Sequence, residues 1–255
     1  MNIFAWKAIS SRISTVSCRN CLLNTLAMSY GDGRGERTTS SKEPVEPWWD
    51  KLEASMAQIR HIKGSNYIQM ATTDAENMAT CRTVVFRGVI SRSRTENGAV
   101  ERAFRIITDR RSCKLSHIEK NPHAELVWWM SHTSEQYRFT SIVDVISSNH
   151  TNDLFLQDRY DMWQELSGQA QEQFYWPVSG TPYDSKPDLI DIPSSHTEEG
   201  PSSPPDSFVL LLVYPHRVHY LRLTDHYAQW DVQVGHHVDS EGVRTCVWQR
   251  QRVNP

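Results

Sequence analysis

The chain is 255 residues long and carries 27 Lys+Arg against 30 Asp+Glu, a formal net charge of −3, with 38% hydrophobic residues. That is enough apolar material for a domain-sized core, and the charge balance excludes the overall cationic field that draws proteins to nucleic acid or anionic lipid. The longest uninterrupted apolar run, Phe208–Tyr214, is far short of the roughly 20 residues of a membrane-spanning helix, so a soluble protein with no nucleic-acid and no membrane partner is expected.

From Met1 to Tyr30 there is no acidic residue, while Lys7, Arg12 and Arg19 alternate with Ser and with Ile3, Phe4, Trp6, Ile9 and Ile13. This is the composition of an organelle transit peptide or of a disordered N-terminus. Residues 1–41 are therefore set apart from the fold, with a mitochondrial or other organelle location if the address is real and a cytoplasmic one otherwise. The five cysteines, Cys18, Cys21, Cys81, Cys113 and Cys246, are odd in number and widely scattered, which argues against a disulfide framework and for a reducing compartment. Cys18 and Cys21 form a C-x-x-C pair with no second pair downstream, so neither zinc nor thioredoxin chemistry is assigned to it.

One domain is expected over residues 46–255. Pro47 opens a helix whose Trp49, Leu52, Met56 and Ile59 share a face. Asn66–Thr72 and Cys81–Val89 read as strands paired in a hairpin across the Asp74–Asn77 turn. Glu96-Asn97-Gly98 is a turn signal, Ala103–Thr108 a third strand, and Ser112–Lys120 a short helix stopped by Asn121-Pro122. His123–Met130 and Glu135–Ile146 are further strands, and Asn152–Phe174 is helical in character. Seven of the twelve prolines fall between Pro177 and Pro205, so residues 178–206 read as a flexible surface loop. Phe208–Tyr214, Val218–Leu223 and Cys246–Val253 complete the strands. Many strands and few helices in this length predict a mainly β protein with flanking helices, closed as a small barrel that removes its exposed edges.

The chemistry gathers in two stretches. Arg82-Thr-Val-Val-Phe-Arg87 is a strand with a cation at each end. Thr108-Asp-Arg-Arg-Ser-Cys-Lys114 brings Arg111, Ser112 and Lys114 to a helix start, whose first N–H groups have no intrahelical partner. A phosphate monoester suits such a corner, accepting from Ser112, Thr108 and free backbone donors while its charge meets Arg and Lys. On Glu135–Ile146, Gln136, Arg138 and Thr140 share one face and Tyr137 and Phe139 the other, so an apolar core and a polar row coexist.

The runs R-T-V-V-F-R, I-I-T-D-R-R-S-C-K, H-I-E-K-N-P-H-A-E-L-V-W-W and E-Q-Y-R-F-T-S together resemble, in order and spacing, the FMN-binding split barrel of the pyridoxamine 5'-phosphate oxidase family. The chain is most similar to a divergent branch marked by W-x-x-L-S, F-x-W-P-x-x-G-x-P and a terminal V-N-P, here Trp163–Ser167, Phe174–Pro182 and Val253–Pro255. The resemblance spans Trp48 to Pro255. It implies a homodimer with FMN at the interface, Arg82, Val84, Val85 and Arg87 along the flavin, and Ile107 and Thr108 at the end of the third strand. It further implies that Arg111, Ser112 and Lys114 take the phosphate and that Gln136 reaches the ring.

The chain also departs from that pattern. Cys113 replaces the second Arg of the usual R-S-R-K segment, a loss of about 1.5–3 kcal/mol if it removes a charge-assisted phosphate contact, and Ile107 stands where Tyr is common. In the true oxidases the substrate phosphate is held by a Tyr-x-x-x-Arg-x-x-x-Ser helix and a C-terminal segment with two Arg. This chain offers Phe155–Ser167 and Thr224–Asp231, the latter without Arg. Arg159 and His226 are the candidates for a substrate anion, and no histidine spacing, His236-His237 included, specifies a metal. The expected function is thus an FMN-dependent oxidase or reductase of a small organic substrate, with a place in pyridoxal phosphate metabolism open. The alternatives are a non-catalytic flavin- or cofactor-binding protein on the same barrel, or an interaction module whose cofactor site has decayed.

Overall fold

The computed structural model describes residues 46–95, 98–183 and 203–255. The expectations for residues 1–41, for the tip of the Glu96-Asn97 turn and for most of the Pro-rich loop lie outside them. The described elements are α1 (Trp49–Ile59), β1 (Tyr67–Thr73), β2 (Ala79–Val85), β3 (Val89–Ser93), β4 (Val100–Asp109), α2 (Cys113–Lys120), β5 (His123–Met130) and β6 (Glu135–Ile146). They continue with α3 (Asp153–Gln164), α4 (Gly168–Glu172), β7 (Phe208–Arg222), β8 (Tyr227–Val238) and β9 (Arg244–Val253). All strand pairs are antiparallel, in the order β2-β1-β5-β6-β7-β4-β3, with β8 on β7 and β9 on β8. Among the described residues no helix is long and apolar enough to cross a membrane.

The sheet closes because one stretch of chain serves two partners. β2 pairs with β1 over its whole length and β3 pairs with β4. Between them Phe86 N–H donates to Asn66 O (2.8 Å), Arg87 N–H to Arg105 O (2.9 Å) and Arg105 N–H to Gly88 O (2.9 Å). The changeover falls on Gly88, at φ +96°, a backbone that a side chain would strain; a Cβ there would also meet Arg105 Nη2 at 3.0 Å. The sequence reading ran β2 on to Val89 and did not see β3 as separate, since the change of partner has no signature beyond this glycine.

β7 makes the complementary split. Its first half bonds β4 and its second half β8, while β6 runs beside both. The switch sits at a bulge where Thr140 pairs with Arg217 and Ser141 with Pro215, and a residue without an N–H is tolerated there. The two strands expected at 208–214 and 218–223 are therefore one. β8 escaped the sequence reading because Gly235 and the polar His236-His237 interrupt its pattern. The helical stretch expected over 152–174 breaks into α3, α4 and a 3₁₀ turn at Gln173–Tyr175.

Two cores explain the unbroken apolar run of β7. Val209, Leu211 and Val213 enter the barrel with Phe104, Trp128, Tyr137 and Phe139, beneath Trp48 and Leu52 at the start of α1. Phe208, Leu210, Leu212 and Tyr214 face the other way, against Phe155, Trp163 and Phe174 of the helical layer. A strand covered on both faces has no polar side to alternate with.

Gly88→Ala should cost about 1–2 kcal/mol of unfolding free energy through left-handed strain at the changeover. A lowered urea midpoint at unchanged slope would show it.

Candidate functional site

α2 lies across one end of the barrel. Lys114 and His117, one turn apart, both come down on strand ends beneath the helix. Lys114 Nζ donates to Thr108 Oγ1 (2.9 Å) at the end of β4 and to Ser112 Oγ (2.7 Å) at the helix N-cap. His117 Nδ1 is 3.1 Å from Thr72 Oγ1 and 3.3 Å from Thr80 Oγ1. Arg82 joins the same network, donating to Met70 O (3.1 Å), Thr72 Oγ1 (2.8 Å) and Thr80 Oγ1 (2.7 Å).

Neither cation bonds a carboxylate among the described residues. Burial, and then the neighbouring charge of Arg82, hold the Lys114 ammonium below the ordinary lysine range. Two cations gathered at a helix N-terminus, one of them substantially desolvated, form a site that an anion stabilises. The Ser112 hydroxyl remains able to donate its own proton, and that of Thr108 is engaged only by a long 3.5 Å contact to Asp109 O.

The structure sorts the sequence-predicted residues. Arg82, Thr108, Ser112 and Lys114 come together. Arg111 does not join them: Nε and Nη2 donate to Asp109 at 2.9 and 2.6 Å, and Nη2 also donates to Phe174 O at 3.3 Å. Val84 turns its side chain into the barrel core, and Ile107 turns its side chain onto the helical layer; both can offer only backbone to a ligand at this corner. Val85, one residue on from Val84, lies on the opposite face of β2. Arg87 lies past the end of β2, about 16 Å along an extended chain from Arg82, and its Nε is buried without a partner.

Gln136 is half-buried opposite Trp129 on β5 and Leu221 on β7, at the far end of the barrel. Following the registers from Arg82 through Met70 and Leu126 to Phe139, it is three strands away, about 14 Å around the sheet, and three residues along. One protomer thus cannot bring Gln136 to the Lys114 corner. On the same outer face Arg138 Nη2 meets His219 Nδ1 at 2.7 Å, and His219 stacks on Trp230 with ring centroids 4.4 Å apart. Arg138 Nε is buried without a partner.

The two substrate candidates part company. Arg159 is a structural clamp, 5% exposed, with Nε donating to Phe208 O (3.0 Å) and Nη2 to Pro205 O (2.6 Å). His226 is exposed at the β7–β8 turn with φ +55°, and it lines an open cavity of about 450 Å³ with the C-terminal residues Gln251–Pro255. Thr72, Thr80 and His117 are site residues the sequence reading missed. Hairpin register was the available signal, since pairing Arg82 with Met70 places Thr80 beside Thr72.

Residues 45–147 match the family described as "Pyridoxamine 5'-phosphate oxidase, FMN-binding domain". The chain is 29% identical over 212 residues to pyridoxine/pyridoxamine 5'-phosphate oxidase 2 of Arabidopsis thaliana, covering 83% of this chain and 98% of that protein. Among solved structures, a pyridoxamine 5'-phosphate oxidase-related, FMN binding protein from Nostoc punctiforme superposes with a TM-score of 0.67 at 28% identity, over 84% of this chain and 100% of the other. PhzG from Burkholderia lata, solved with tetrahydrophenazine-1-carboxylic acid, gives a TM-score of 0.57 at 11% identity over 85% and 100%, a likeness of fold. The molecule is thus an FMN-binding split barrel. Residues 45–147 are of the FMN-binding type found in pyridoxamine 5'-phosphate oxidases, and the cofactor is FMN.

Because Arg159 holds backbone carbonyls, Arg159→Ala should lower stability by about 3 kcal/mol and leave flavin content per folded protein unchanged. Thermal unfolding together with the 450 nm absorbance of the folded fraction checks both.

Proposed function

We propose that this chain is an FMN-dependent oxidoreductase acting on a small organic substrate as a homodimer with FMN at the interface. The observation that carries the reading is the pairing of Lys114 with Arg82 at the start of α2 without an acidic partner among the described residues. The fit to FMN rests on that desolvated charge and on the orphaned Nε of Arg87. Lys114, Arg82, Ser112 and Thr108 take the phosphate. The strand from Arg82 to Arg87 offers its backbone along the rest of the cofactor, with the side chain of Val85 on its outer face and the Arg87 cation at the far end.

When bound, FMN supplies the electron-pair transfer. The protein's part is to hold and orient the cofactor and to favour negative charge on the reduced ring. Arg87 serves the last task as a fixed cation beside water-excluded surface. Gln136, too far from Lys114 within one protomer, reaches the ring from the partner subunit, and this is what makes the dimer part of the site. The acid-free N-terminus supports delivery to a mitochondrion or another organelle.

The name of the Arabidopsis relative points to pyridoxine or pyridoxamine 5'-phosphate as a substrate. Against that stand the clamp role of Arg159 and the lack of Arg in Thr224–Asp231. The same observations favour a second reading, a flavin-binding protein on this barrel without turnover. Anaerobic reduction of the FMN-loaded protein, followed by reoxidation in air, distinguishes them. Aerobic turnover of pyridoxamine phosphate would extend the first reading to that substrate. A loaded protein that neither reduces with any candidate donor nor reoxidises supports the second, and a chain that takes up no FMN removes both.

Lys114→Ala should weaken FMN binding about 10- to 100-fold, the equivalent of a charge-assisted hydrogen bond, whereas Arg111→Ala should change it less than threefold. Titration of apoprotein by flavin fluorescence quenching measures the pair; equal losses would sink the assignment. Burial and the charge of Arg82 hold Lys114 below the ordinary lysine range, so as pH rises its charge is lost earlier than that of an exposed lysine. FMN affinity should therefore fall on the alkaline side in the wild type and stay flatter in Lys114→Arg.

A further inference from the structure

A second cluster lies away from the Lys114 corner, where the β8–β9 hairpin folds back over the start of β4. His236 and Cys246 face each other directly across the hairpin. The register shift between Gln233 and Gly235 is a bulge, which puts Gln233 on the same side as His236 although they are three residues apart. Glu101 of β4 completes the group, and the three ligating atoms of Glu101, His236 and Cys246 all lie within 4.8 Å of one another.

The Gln233 amide shows how these groups converge. Its Nε2 is 2.9 Å from Glu101 Oε1, 3.1 Å from Cys246 Sγ and 3.4 Å from His236 Nε2. An amide nitrogen has two hydrogens, and Glu101 Oε1 and Cys246 Sγ take both, which leaves none for His236 Nε2; a dication at that point would serve all three. Cys246 Sγ–H donates to Glu101 Oε1 at 3.1 Å. The cluster opens onto a cavity of about 310 Å³ that Tyr214 and His216 also line. Two atoms of those residues, Tyr214 Oη and His216 Nδ1, are buried without hydrogen-bond partners. Of the two cations on the cavity wall, Arg94 is already paired with Asp144 at 2.8 Å, and Arg244 is exposed.

We propose that Glu101, His236 and Cys246 form a Zn²⁺ site with its fourth position open to this cavity. The donor set of one carboxylate, one imidazole and one thiolate suits a borderline-soft cation, and two anionic ligands neutralise the dication. Tetrahedral zinc spaces its donors about 3.5 Å apart, so side-chain rotation of about 1 Å closes the site and displaces the Gln233 amide. On binding, the Zn–S bond forms as the S–H bond breaks, and the proton leaves to solvent. The metal would tie the edge hairpin to β4 and hold a water or small ligand in its open position, independently of the flavin reading. In the sequence these ligands carry no metal spacing, because the hairpin and a 135-residue separation bring them together.

Co²⁺ is the probe, added to metal-free full-length protein carrying Cys18→Ser and Cys21→Ser, so that the C-x-x-C pair takes no metal. One equivalent should bind with a thiolate-to-cobalt absorption band in the near ultraviolet and be displaced by Zn²⁺. Cys246→Ser should abolish the band, and His236→Ala, at an exposed position that leaves folding intact, should weaken binding about tenfold or more. Absence of the band in the parent protein, or its survival in Cys246→Ser, overturns the proposal.

Discussion

The constraint on which the rest of the molecule depends is the change of partner at Gly88. Up to Val85 the chain bonds to β1, and from Arg87 it bonds to β4. That handover turns an open antiparallel sheet into a closed barrel and satisfies two edges that would otherwise expose unpaired N–H and C=O groups. It also fixes where the charges go. Arg82 is anchored by the β1–β2 register under α2, and Arg87 is carried to the opposite end by the same strand.

Closure creates the interior that pays for a charged corner. Trp48, Phe104 and Phe139 fill the barrel with edge-to-face aromatic contacts beside the buried Trp128, and α2 rests on that core through Leu115 and Ile118. With its apolar face fixed, the helix has no freedom to withdraw Lys114 into water. A desolvated ammonium beside a guanidinium is unfavourable in isolation, and it is retained because the surrounding packing determines it. Arg111, equally basic and three residues earlier, satisfies itself on Asp109 and adds little to the field at that corner.

Gln136 and the Lys114 corner lie at opposite ends of one protomer, and the outer face between them carries the exposed Trp129 together with the Arg138–His219–Trp230 group. In the homodimer proposed above, a second copy of the chain laid on that face supplies what one copy lacks. The chemistry and the assembly are therefore one question, unlike the Glu101–Cys246 cluster, which is complete within a single chain.

Sequence periodicity by itself determined a large part of this protein. The alternation of β6, the ends of β5, the short α2 stopped by Asn121-Pro122 and the Asp74 turn are local matters, set by side-chain direction and by backbone limits on Pro and Asx residues. The basic run around Lys114 was legible for the same reason. What only the tertiary structure decided are the long-range registers. These include the handover at Gly88, the single 15-residue β7 with its bulge at Pro215, and the strand β8 hidden by its polar face. They also include the separate fates of Lys114, Arg111 and Arg159. Neighbouring cations of like propensity differ in what they meet across the sheet, and that is fixed by pairing between segments far apart in the chain, which no local pattern encodes.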